Sequence, residues 1–126
     1  MLSTTPATVP DIQAICRVFT SNRYNFQDET SLQEGLAVAL TRQSIPFERE
    51  VRLDASNRPD FMIGTVAVEV KIKGTFAQFL RQAARYLELD EVSALIVVGT
   101  PKWMAAVPAT LRDKPIYSVR LTSSLL

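Results

Sequence analysis

From Val66 to Ile72 every second residue is apolar: Val66, Val68, Val70, Ile72. Phe61 and Ile63 carry the same period upstream, on the other side of Gly64-Thr65. A period of two predicts strands, and Gly at the first central position fits a two-residue type II′ turn. Folded about that turn, Ile63 faces Val66, Met62 faces Ala67, Phe61 faces Val68 and Asp60 faces Glu69. One side of the hairpin is then wholly apolar. The other presents Asp60, Glu69 and Lys71.

The remaining pattern predicts a helix over residues 10–20, with Pro10 in its first position and Ile12, Ile15, Cys16 and Phe19 as its apolar stripe. Residues 21–30 read as a loop. A second helix opens at Ser31 and runs to about Gln43. After Pro46 a strand is expected over Phe47–Leu53, then a turn at Asp54-Ala55-Ser56-Asn57. Gly74 precedes a helix from about Phe76 to Leu89, with Phe76, Leu80, Ala83 and Leu87 as its stripe. Ala94–Val98 is continuously apolar, as a buried strand is. Trp103–Arg112 reads as a helix interrupted by Pro108, and Ile116–Leu121 as a last strand. The class is α/β (α+β), with helices flanking a central mixed sheet in the order αβββαβ. One domain is expected over residues 1–126: an N-terminal helix and loop (1–30), the αβββαβ core (31–100) and an αβ extension (101–126).

Composition narrows the chemistry. Hydrophobic residues make up 47% of the chain, yet no apolar run approaches the ~20 residues of a membrane span. The start, Met1-Leu2-Ser3-Thr4-Thr5-Pro6, lacks the plan of a signal peptide. The single cysteine, Cys16, suits a reducing, cytoplasmic setting. There are no histidines, which removes Ser-His-Asp and Cys-His triads and almost any structural zinc site. A net charge of +1 gives no global nucleic-acid signal. Basic residues are nevertheless clustered: Lys71, Lys73, Arg81 and Arg85 follow Arg42, Arg49, Arg52 and Arg58. Arg81 and Arg85, one helical turn apart, form either a solubilising face or a local DNA-binding one.

Opposed carboxylates weaken a sheet, because directly paired Cβ atoms lie ~4.5–5.5 Å apart. A divalent cation reverses the sign of that repulsion. Mg²⁺ favours one or two protein carboxylates plus water and phosphate oxygens, which makes Asp60 and Glu69 candidate metal ligands. Lys71 can then hold an attacking water or neutralise phosphate charge.

At this point a resemblance is apparent. Pro59-Asp60, followed by Glu69-Val70-Lys71 after an apolar strand, resembles the signature of the PD-(D/E)XK nucleases, which have restriction endonuclease-like folds. The resemblance spans roughly residues 31–100. It implies Mg²⁺ or Mn²⁺ held by Asp60, Glu69 and the backbone carbonyl of Val70, with Lys71 positioning the nucleophilic water. The absence of further cysteines excludes the iron–sulfur members. An acidic residue is expected on the preceding helix, and Glu34 is placed for it; Ser31-x-x-Glu34 is equally a capping box. Gln82 and Tyr86 are similar to the Gln-x-x-x-Tyr pattern of RecB-type and phage exonuclease-like branches. Gln82 would lie beside Lys71, while Tyr86 is either a half-buried core residue or a platform for a base. Lys73, Arg81, Arg85, Tyr86 and Arg58 are the candidate DNA contacts.

Two functions are then open. One is a metal-dependent DNA nuclease acting in repair or recombination, as an exonuclease or as a Holliday-junction resolvase. The other is a non-catalytic module that binds nucleic acid or protein. A symmetric homodimer is expected, with residues 12–19, Leu121, Leu125 and Leu126 at the contact, unless those segments cover their own core.

Overall fold

The hairpin forms in the register its sequence dictates. In the computed structural model, which describes residues 10–122, β2 (Phe61–Ile63) pairs antiparallel with β3 (Val66–Lys71). Phe61 faces Val68, Met62 faces Ala67 and Ile63 faces Val66. Of the two turn residues only Gly64 has a positive φ, +59°, a conformation that costs a residue without Cβ nothing.

Around this hairpin the chain adds α1 (Ile12–Thr20), α2 (Glu29–Arg42) and β1 (Glu48–Arg49) before it. After it come α3 (Phe76–Leu87), β4 (Ala94–Gly99), a 3₁₀ turn (Lys102–Ala106), β5 (Thr110–Leu111) and β6 (Lys114–Arg120). Among the described residues six strands lie in the order β1-β2-β3-β4-β6-β5. The β1, β2 and β3 neighbours are antiparallel, whereas β3, β4 and β6 run parallel and β5 is antiparallel to β6. The sheet is therefore mixed, and α3 is the crossover between parallel β3 and β4.

Helices cover both faces. Ile15 and Phe19 of α1 and Leu32, Leu36 and Leu40 of α2 pack on Phe61, Ile63, Val66, Val68, Val70, Ile96 and Val98. Phe79, Ala83, Tyr86 and Leu87 of α3 pack on Met62, Ala67, Leu95, Val97 and Ile116. A central strand buried on both sides has no polar face to show. That is why Ala94–Val98 reads as one unbroken apolar run.

Several local expectations change. Asp11, not Pro10, caps α1: its carboxylate accepts from Ala14 N–H, so Pro10 precedes the helix. Helix α2 starts at Glu29 because Asp28 caps it, accepting from Ser31 N–H at 2.7 Å. Ser31 is thus inside the helix and the capping box with Glu34 does not form. The strand expected over Phe47–Leu53 shrinks to Glu48–Arg49, since Glu50 takes a left-handed φ of 50° that breaks the ladder. The Asp54 turn forms, with its carboxylate accepting from Ser56 N–H. In place of an interrupted helix at Trp103–Arg112, the 3₁₀ turn is followed by a β5–β6 hairpin whose Arg112 and Asp113 both have positive φ. The last strand accordingly starts at Lys114.

Three of the expected dimer contacts belong to the core, with Ile12 and Cys16 half-buried against it. Ile15, Phe19 and Leu121 are buried in the chain's own core, because two helices are needed to cover a sheet face this long. Leu125 and Leu126 lie outside the described residues. Among those described, the only exposed large hydrophobic side chain is Val38, at 48% exposure. Among the described residues no helix is long and apolar enough to cross a membrane.

A glycine fixes the end of the lysine-bearing strand. Gly99 ends β4 opposite Lys71 of β3, and a Cβ built on it would overlap the Lys71 carbonyl. The next residue secures the same contact, Thr100 N–H donating to the Lys71 carbonyl at 3.0 Å.

Candidate active site

The site lies where β2 parts from β3. Beyond the Phe61–Val68 pair the backbone of β2 no longer serves β3, so the N–H groups of Val70 and Ile72 need other acceptors. Carboxylates supply them. Val70 N–H donates to Asp60 Oδ2 at 2.7 Å, and Ile72 N–H donates to Glu29 Oε2 at 3.2 Å. Gln33, one turn after Glu29 on α2, donates from Nε2 to Asp60 Oδ1 at 3.1 Å. Asp60 is therefore held at both oxygens.

Glu69 is held from the other side, by α3. It is only 6% exposed. Tyr86 O–H donates to its Oε1 at 2.9 Å, Gln82 Nε2 donates to its Oε2 at 3.1 Å, and Lys71 Nζ lies 3.5 Å from Oε2. Gln82 Nε2 also donates to the Tyr86 oxygen, and its own Oε1 is buried without a partner.

These surroundings disfavour two negative charges. Burial, then the neighbouring Asp60 charge, push the Glu69 carboxyl up to about 7 against the pull of Lys71. Burial likewise raises Asp60, opposed by the Val70 N–H bond and by Lys71, with Glu29 adding to the rise. Tyr86 is raised by burial and then by the charge of Glu69, so it stays a donor. One lysine does not offset this cluster of acids. The donor set therefore fits a small hard cation: two oxygen-bearing side chains with lone pairs to spare, leaving the remaining positions to water and substrate oxygens. Among the described residues no three acidic, histidine or cysteine side chains converge closely enough to enclose a metal without such help.

The sequence-predicted residues divide. Asp60, Glu69, Lys71, Gln82 and Tyr86 come together; Val70 buries its side chain in the core while its backbone joins the site. Tyr86, at 2% exposure, is too buried to stack on a base, and its role is to fix Glu69. Glu34 is not in the site: its side chain is 61% exposed and bonded to Arg49 at 2.7 Å. Glu29, on the same helix, instead reaches β3 and adds to the charge around Asp60. Lys73 and Arg58 are exposed, Arg58 lying 3.8 Å from Glu50. Arg81 and Arg85 line an open groove of about 360 Å³ with Lys71, Gln78 and Gln82. A larger cavity of about 510 Å³, between Thr20–Phe26 and the end of β6, contains no acid and none of these residues.

Glu29, Gln33 and Gly99 went unread in the sequence. Asp28-Glu29 carried the signal, as a capping acid followed by an acid in the first turn, three residues before the Leu32, Leu36, Leu40 stripe. The contrast is testable. Glu29→Gln should lower any activity of the site at least tenfold, and Glu34→Gln should leave it within about twofold, both by initial rates. Equal effects would remove Glu29 from the site.

Comparison with protein-family models, with curated proteins and with solved structures found no match.

Proposed function

We propose that this chain is a divalent-metal-dependent DNA nuclease with a restriction endonuclease-like core. The observation that carries the reading is the convergence of Asp60 and Glu69 at the fork of the sheet, close enough for each carboxyl to act on the other, with Lys71 Nζ 3.5 Å from Glu69 Oε2. The order of elements supports it: a helix, an acid-bearing antiparallel hairpin, a crossover helix and a parallel strand. A core that needed only stability would not bury two acids whose charges oppose each other.

Asp60, Glu69 and the Val70 carbonyl would hold Mg²⁺ or Mn²⁺, with Glu29 behind them. Such an ion supplies charge stabilisation at the scissile phosphate and eases deprotonation of water. The chain's own residues do the rest. Val70 N–H and Gln33 orient Asp60, and Tyr86 and Gln82 orient Glu69, so neither carboxylate must reorganise as charge develops. Lys71, tethered by Gly99 and Thr100 through its carbonyl, presents its ammonium where an attacking water or a phosphate oxygen is held.

The test is cleavage of single-stranded, duplex, flap and junction DNAs. Activity is expected with Mg²⁺ or Mn²⁺, and little with Ca²⁺, whose longer bonds and 6–8 oxygens misplace the water. It should vanish in EDTA. Cleavage that persists in EDTA ends the metal reading, and binding without cleavage under every metal makes the chain a binding module. The junction-resolvase variant draws no support from Ile15, Phe19 and Leu121, expected dimer contacts that lie in the core.

A further inference from the structure

The groove beside the acids contains an imbalance of the opposite sign. Lys71, Arg81 and Arg85 converge on it together with the amides of Gln78 and Gln82. Lys71 is matched by Glu69. Arg81 and Arg85 make no ion pair or side-chain hydrogen bond among the described residues. Arg85 also helps, weakly, to hold down the exposed Asp54 carboxyl. Arg81 and Arg85 stand one turn apart on one face of α3, where like charges repel, and neither has an ion-pair partner among the described residues.

We propose that this groove is a subsite for a terminal phosphomonoester of a polynucleotide strand, next to the bond being cut; this rests on reading the acid pair as a nuclease site. The charge argument selects the monoester. Its −1.5 to −2 at neutral pH matches the roughly two unmatched positive charges, whereas an internal diester brings only about one. Arg presents paired donors that fit phosphate oxygens bidentately. Position adds the last constraint. Lys71 lines this groove and also touches Glu69, so a strand end seated on Arg81 and Arg85 leads directly to the acids.

The experiment is fluorescence anisotropy in EDTA with short single-stranded oligonucleotides of one sequence. They carry a 5′-phosphate, a 3′-phosphate, or hydroxyl groups at both ends. One phosphorylated end should bind about tenfold tighter than the hydroxyl form, identifying the end recognised. Arg81→Ala and Arg85→Ala should each abolish that preference, and Arg23→Ala, outside the groove, should preserve it. Both arginines are exposed, so folding is not at stake. Equal affinity for all three ends, or Arg81→Ala and Arg85→Ala variants that weaken all three equally, would overturn the proposal. Because no cleavage is needed, the two readings fail separately. Metal-dependent cleavage without end preference leaves the nuclease standing, and end preference without cleavage leaves the subsite standing.

Discussion

Glu69→Gln should abolish cleavage and, in the same preparation, raise the melting temperature of the metal-free protein at neutral pH. The first effect comes from losing one of two carboxylates that converge on the site; a fall of a thousandfold or more is expected. The second comes from linkage. An unfolded glutamate titrates near 4.5, and the folded Glu69 near 7. Below the lower value both states carry the proton and burial is not penalised. Between the two the unfolded chain ionises while the native state keeps its proton, so stability falls as pH rises. Above about 7 the whole penalty is present, on the order of a few kcal/mol. Asp60, also raised, acts in the same direction.

Wild-type protein in EDTA should therefore melt progressively lower from about pH 5 to about pH 8, and the Glu69→Gln protein should do so less steeply. The amide fits. Its oxygen accepts from Tyr86, and Gln82 has only to turn its own amide to offer the Oε1 that now lacks a partner. A Glu69→Gln protein that melts well below wild type in EDTA would show the carboxylate to be a structural group. Asp60 is not equivalent, because it also satisfies the Val70 N–H. Asparagine keeps an acceptor there and alanine does not.

Gly99→Ala carries the largest expected loss of stability. The added methyl group would meet the carbonyl of Lys71, main chain rather than a movable side chain, so no rotamer relieves it. Either β4 separates from β3 or Lys71 moves. About 3 kcal/mol or more, and a melting temperature lower by ~10 °C, is the expected cost. Any protein that still folds should have lost most of its cleavage rate, since Lys71 is the residue displaced. A melt within ~2 °C of wild type, with full activity, would show the contact to be slack.

The acid pair was legible because two short-range rules agreed. A period of two sets the faces and Gly64 the turn, so Asp60 and Glu69 fall on one side just past the last paired residues, Phe61 and Val68. Other features depended on phase. A helix opening at Ser31 would favour Glu34, which bonds Arg49, whereas the helix that opens after Asp28 brings Glu29 and Gln33 to β3 and Asp60. On α3 the sequence pattern predicts a stripe of Phe76, Leu80, Ala83 and Leu87. The buried row is Phe79, Ala83, Tyr86 and Leu87, and that rotation turns Tyr86 inward. The role of α1 and the constraint at Gly99 are long-range facts. Each depends on which strand lies next to which, and local pattern does not contain it.

Trp103 is the chain's only tryptophan, and its setting gives the molecule a built-in optical gauge. Its indole stacks on Phe79 at 5.3 Å, and its N–H donates to the Gly74 carbonyl at 3.1 Å. Gly74 comes three residues after Lys71, and Phe79 three before Gln82. Tryptophan emission from unlabelled protein thus originates at one point, the turn joining the lysine strand to the glutamine helix. Far-ultraviolet circular dichroism averages over every helix, whereas this signal watches the wall of the site alone, and the two together separate a local loosening from a global melt.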